Sequence, residues 1–200
     1  MRTLTRWTTL SGMLAALTIT AARVEAQTWI ANLTGPNESP SNTSPGTGQA
    51  VVILSGNSLS VQVTFSGLTS GTTASHIHCC TSAPLTGTAG VATPVPTFPG
   101  FPLGVTSGSY SQVFNLLLTS SYNPAFLAAN GGTAESAEAA LIGGMSAGDA
   151  YLNIHTTNFP SGEIRGFLTT VPEPSELFLL ASGLVGLGVV VRTRPPTRRR

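Results

Sequence analysis

The stretch Ser58-Leu59-Ser60-Val61-Gln62-Val63-Thr64-Phe65 decides the fold class. Leu59, Val61, Val63 and Phe65 alternate with Ser58, Ser60, Gln62 and Thr64, so apolar and polar side chains point to opposite faces. That period of two belongs to a strand with one dry face. Just before it, Ser55-Gly56-Asn57 reads as a turn and Gln49–Leu54 as an apolar strand, which together make a hairpin. Further out, Thr28–Leu33, Ser75–Cys79 and Ser109–Leu118 read as strands. Asp149–Thr156 and Glu163–Thr170 read as two more, joined as an antiparallel hairpin through Thr157–Gly162. Pro94, Pro96, Pro99 and Pro102 make Pro84–Gly104 a long surface loop. Asn123–Ala129 reads as a helical turn. Thr133 can cap a helix through about Met145, with Glu135 and Glu138 near its positive end. The expected fold is therefore mainly all-β: an antiparallel Greek-key sandwich or barrel, immunoglobulin-like or superoxide-dismutase-like, with one or two short helices.

Composition narrows the function. Charged residues are 8% of the 200, against about 25% in ordinary soluble domains, and lysine is absent. A nucleic-acid binder needs a dense basic surface, so nucleic acid is excluded as a partner. The arginines lie almost wholly at the two ends. Between Gln27 and Val171 stand five acids (Glu38, Glu135, Glu138, Asp149, Glu163) and one base, Arg165. The ends read as addresses and the middle as the working domain.

Residues 1–26 follow the plan of a secretory signal peptide. Arg2 and Arg6 precede the uncharged run Trp7–Ala22, and Val24-Glu25-Ala26 places small residues before a cleavage point after Ala26. At the other end, Val171-Pro172-Glu173-Pro174-Ser175 precedes an uncharged run, 177–191, and then Arg192, Arg194, Arg198, Arg199 and Arg200. As a helix that run reaches about 22 Å at ~1.5 Å per residue, short of the roughly 30 Å hydrocarbon core, and arginine stems can snorkel across part of the gap. The basic cluster stays cytoplasmic while the signal peptide sends the domain out. The expected organisation is a signal peptide (1–26), a β domain (27–171) and a membrane-inserting tail (172–200), with apolar helices at both ends.

All three histidines fall in two short segments, His76-Ile77-His78 and Asn153-Ile154-His155-Thr156. On a strand, His76 and His78 point the same way, which makes a two-toothed metal arm. His155 supplies a third imidazole if the two strands are neighbours. Such a set suits copper or zinc. Cys79 and Cys80 follow at once. They read as a strained disulfide between neighbours, as two thiols, or as further ligands. The bland alternative is that the imidazoles only hydrogen-bond across the sheet. Glu163 and Arg165, two apart in Gly-Glu-Ile-Arg-Gly, read as a structural ion pair. No nucleophile stands beside a base, and paired carboxylates are lacking, so the chain is not read as an enzyme.

Two resemblances follow from these motifs. Pro172-Glu173-Pro174 with its apolar run and Arg-rich end resembles the PEP-CTERM sorting signal of Gram-negative bacteria. That likeness implies processing by exosortase, passage through the inner membrane, and delivery to the cell surface or exterior, often alongside exopolysaccharide. Ala74-Ser75-His76-Ile77-His78, Tyr151–Thr156 and Phe159–Leu168, with the opening Ala31–Pro40, resemble the CHRD (chordin) domain from Trp29 to about Leu168. Cys79-Cys80 departs from that family's simpler loop. The likeness implies a secreted binding or structural domain, associated here with an exopolysaccharide or surface matrix. A mononuclear copper or zinc protein is the rival. A looser likeness to copper/zinc superoxide dismutase ends at the histidine count, since three are too few for a dinuclear site.

Overall fold

The computed structural model of the protein describes residues Ala26 to Pro172. The expected signal peptide (1–26) lies outside them except for its last residue. So do Glu173 and Pro174 of the expected sorting motif, the 177–191 run and the basic end. Among the described residues, no helix is long and apolar enough to cross a membrane.

Eight strands and two helices follow one another as β1 (Gln27–Thr34), β2 (Thr47–Ser55), β3 (Ser58–Ser66), β4 (Thr72–His78), β5 (Gly108–Asn115), α1 (Pro124–Ala129), α2 (Ala134–Ala147), β6 (Tyr151–Thr156), β7 (Ile164–Phe167) and β8 (Thr169–Thr170). The strands form one continuous antiparallel sheet in the order β4-β6-β7-β1-β2-β3-β5, with β8 on β1. It curls into a half-barrel, and the mainly-β reading holds. The alternation in Ser58–Phe65 is realised directly. Leu59, Val61, Val63 and Phe65 are buried while Ser58, Gln62 and Thr64 are exposed. Gly56, at φ +57, makes the turn from β2 into β3.

The apolar face of the curled sheet encloses one core, from Trp29, Leu33 and Val61 through Ile77 to Leu152, Ile154, Ile164 and Leu168. Helix α2 adds Ala137, Leu141 and Met145 to it. Its start is fixed as the sequence suggests. The Thr133 side chain accepts from Ser136 N–H, and the Ser136 hydroxyl returns to the Thr133 backbone. Glu138, in that first part of the helix, is buried and accepts from Asn57 Nδ2 at 2.9 Å.

Two expectations are corrected. The Pro-rich segment is not a plain surface loop: Ala92, Phe98 and Phe101 reach the core. Its backbone also runs along the free edge of β4, with Ala92 N–H donating to Ile77 O and Phe98 N–H to Ser75 O. An open edge strand is thereby covered without a regular partner. The last expected strand, Glu163–Thr170, divides at Leu168 into β7 and β8, and Glu163 stands before β7 begins.

Candidate metal centre

Strands β4 and β6 are neighbours, so the two histidine segments meet. Their register sets His76 against Asn153, Ile77 against Leu152 and His78 against Tyr151. Ile77, Leu152 and Ile154 face the core, and alternation sends His76, His78, Tyr151, Asn153 and His155 to the opposite face. That second face is covered too, by the segment after β4 and by the loop after β1. Accordingly His76 is 5% exposed, His78 8% and Asn153 2%, with His155 half-buried.

Each imidazole is oriented by one backbone carbonyl. His76 Nε2 lies 2.7 Å from Pro96 O, His78 Nδ1 2.9 Å from Ala89 O, and His155 Nδ1 2.9 Å from Pro160 O. A carbonyl oxygen only accepts, so each of these nitrogens carries the ring proton. In the neutral ring the other nitrogen then presents a lone pair. Those three atoms, His76 Nδ1, His78 Nε2 and His155 Nε2, are buried and have no hydrogen-bond partner. They converge: one nitrogen from each ring lies within 4.8 Å of the other two.

The rings stand slightly wider apart than a bound ion would hold them. An imidazole bound at about 2.0–2.1 Å has its centroid roughly 3.2 Å from the metal, so three such rings lie about 5.2–5.5 Å apart. The observed centroid separations are 5.4 Å (His76–His155), 5.8 Å (His76–His78) and 6.1 Å (His78–His155). A modest inward tilt of His78 closes the set. The protonation state suits an ion. Burial pushes the His76 imidazole down to about 4, against a smaller upward pull from its Pro96 partner. Burial likewise lowers His78 and His155; the Ala89 carbonyl and the Asn153 side chain oppose it at His78, and the Pro160 carbonyl at His155. All three rings are neutral at pH 7, the form that ligates.

The residues around the triad do not follow the sequence reading throughout. Cys79 and Cys80 are joined by a disulfide, and their sulfurs lie against Gly144 of α2 on the core side. They are therefore withdrawn from the imidazoles, and the four-ligand cluster suggested by His76–Cys80 does not assemble. The Glu163–Arg165 pair does not form either. Glu163 precedes β7 and follows Gly162, at φ +131, so the two-residue rule for sharing a strand face does not apply to it. Its carboxylate accepts from Ser44 Oγ at 2.6 Å, Thr69 N at 2.7 Å and Thr156 Oγ1 at 2.5 Å. Burial alone would raise its pKa, but these donors outweigh burial and hold it below the usual carboxylate range.

Arg165 points to the histidine face. Its Nε donates to Asn37 O and its Nη1 to Gly87 O at 3.0 Å. Its guanidinium lies 4.7 Å from the Tyr151 ring centre, and Tyr151 stacks on His78 at 4.8 Å. Its carboxylate neighbour is Glu38, 3.9 Å away and also buried. Sequence reasoning missed Glu38 and Asn153. Glu38 lay in an apparent loop, and Asn153 was read only as part of a motif.

Matching follows the same boundaries. The CHRD domain family covers residues 29–168, well over half of the chain, and includes every residue of the histidine layer. No curated protein and no solved structure matches the chain. By that coverage the protein belongs to the CHRD domain family.

Proposed function

We propose that this domain holds one copper or zinc ion between His76 Nδ1, His78 Nε2 and His155 Nε2. A single observation carries the reading. Three buried imidazole lone pairs converge without partners, each set by a carbonyl behind it. Leaving one buried polar atom unpaired costs about 1–3 kcal/mol, so three at one point imply an occupant. Outer partners that fix the tautomer are what ligating histidines require. Copper binds such a set more tightly than zinc by the general order of divalent affinities.

The setting proposed for the domain is extracellular. The export signal (1–26) and the tail resembling PEP-CTERM (172–200) support delivery to the cell surface or matrix. Exosortase would process the tail near Pro172-Glu173-Pro174. In that setting the domain binds rather than catalyses.

Metal analysis of the untagged chain tests the proposal. One copper or zinc per chain is expected, with a rise in Tm of roughly 5–10 °C at a hundredfold excess over Kd, reversed by chelator. His155→Ala, which alters the most accessible ligand, should abolish both while leaving the circular dichroism spectrum intact. Binding of neither ion would overturn the reading. Export is tested separately: deleting 172–200 should free the chain from the membrane fraction of cells lacking exosortase, and equal fractionation would count against it.

A further inference from the structure

The histidines are not the only buried acceptors on this face. Among the described residues, seven buried side-chain N or O atoms lack a partner. Five belong to this layer: the three imidazole nitrogens, Asn153 Oδ1 and Glu38 Oε1. Asn153 faces His76 across the β4–β6 pair, and its side chain shares a face with its near neighbours Tyr151 and His155. It therefore rises among the three imidazoles. Glu38 comes up beside Asn153, at Gly162, from the loop after β1. Its Oε2 faces Arg165, and its Oε1 turns towards Gly162. A Cβ on Gly162 would sit 2.5 Å from Glu38 Oε1 and 2.8 Å from Asn153 Nδ2, so only glycine leaves room for both side chains.

Three nitrogens leave a copper or zinc ion with an open coordination position. Neither sulfur can fill it, because both are tied in the disulfide against α2. Nor does Glu38 join the group of mutually close ligand atoms, which consists of the three histidines. A water on the ion would bring two hydrogens, and two acceptors stand without one. A pocket of about 250 Å³ lies on the outer side of Glu38, Pro160 and Gly162, and the Pro160 carbonyl holds His155 Nδ1.

We infer that the fourth position of the three-histidine site is an exchangeable one. It carries water or hydroxide held by Asn153 and Glu38, and it is open to small anions through the Glu38–Gly162 pocket. The inference rests on the metal reading and deepens it. Asn153 and Glu38 act as positioning residues, since they touch the fourth ligand and not the ion. With the ion bound, Glu38 is held ionised by the added positive charge, so its carboxylate weakens the hold on any anion placed there.

Azide is the probe, added to the full chain loaded with one equivalent of Cu(II) at pH 8 and followed by charge-transfer absorption and electron paramagnetic resonance. One azide per copper should bind saturably and alter both signals. Glu38→Gln should tighten azide binding and Asn153→Asp should weaken it. Each change should be about fivefold or more, the scale of a unit charge several Å from an anion in a partly buried site, with one copper still bound. Copper bound at one equivalent with no azide effect would overturn the exchangeable position while leaving the metal site standing. Loss of copper in Glu38→Gln would overturn it too, by making the carboxylate a ligand. Azide affinities unchanged in both variants would overturn the role of the two side chains. Failure to take up copper or zinc at all would overturn the metal reading itself.

Discussion

At the scale of single residues, two buried carboxylates show how partners decide what a charge does. Glu163 accepts three hydrogen bonds, from the loop after β1, the loop after β3 and β6, and so ties three segments to one point. Glu163→Ala leaves three donors without their acceptor, the Thr156 hydroxyl among them fully buried, and is expected to cost about 2–4 kcal/mol, read as a lower urea midpoint. Glu38 has only Arg165 at 3.9 Å and the Ser39 backbone in its favour, and burial raises it to about 7. The sequence made the wrong pairing because it offered Arg165 only one nearby acid. Long-range partners such as Asn37 and Gly87 leave no local trace. The histidines were legible for the opposite reason. His-x-His carries its own geometry on a strand, and only the pairing of β4 with β6 had to be supplied by the fold.

Elements show the same division. Strand β3 was readable to within one residue because one of its faces is dry and the other wet. Strand β6 is buried on both faces, which removes alternation as a signal. The covering segment after β4 was misread because its prolines mark irregular backbone, while its phenylalanines decide where that backbone lies. Helix α2 was readable from its cap. Thr133→Ala should cost about 1 kcal/mol, since the hydroxyl satisfies a backbone N–H that the first turn leaves free. A thermal melt of the variant checks this, and an unchanged midpoint would mean that packing of Leu141 and Met145 alone holds the helix start.

For the whole molecule, the buried histidines make stability depend on pH. His76, His78 and His155 all have folded pKa values below those of the unfolded chain. Between about 4 and 6.5 the unfolded imidazoles therefore take up protons that the folded rings refuse, and stability falls as pH falls. Glu163, lowered in the fold, adds to that acid loss. Glu38 opposes it, because its raised value makes stability fall as pH rises from 4.5 to about 7. Glu163 acts below about 4.5, so between pH 5 and pH 7 three imidazoles act one way and Glu38 the other, and the metal-free protein should have a lower urea midpoint at pH 5 than at pH 7. His76→Leu should shrink that difference.

The same neutral rings would give the proposed site its affinity, and acid should release the ion over that range as protons compete for the lone pairs. X-ray absorption on the copper- or zinc-loaded chain at pH 7 tests the centre most directly. Three imidazole nitrogens at about 2.0–2.1 Å, with imidazole multiple scattering, are expected, plus one oxygen ligand. A shell of oxygens alone, or any sulfur ligand, would contradict the assignment of His76, His78 and His155.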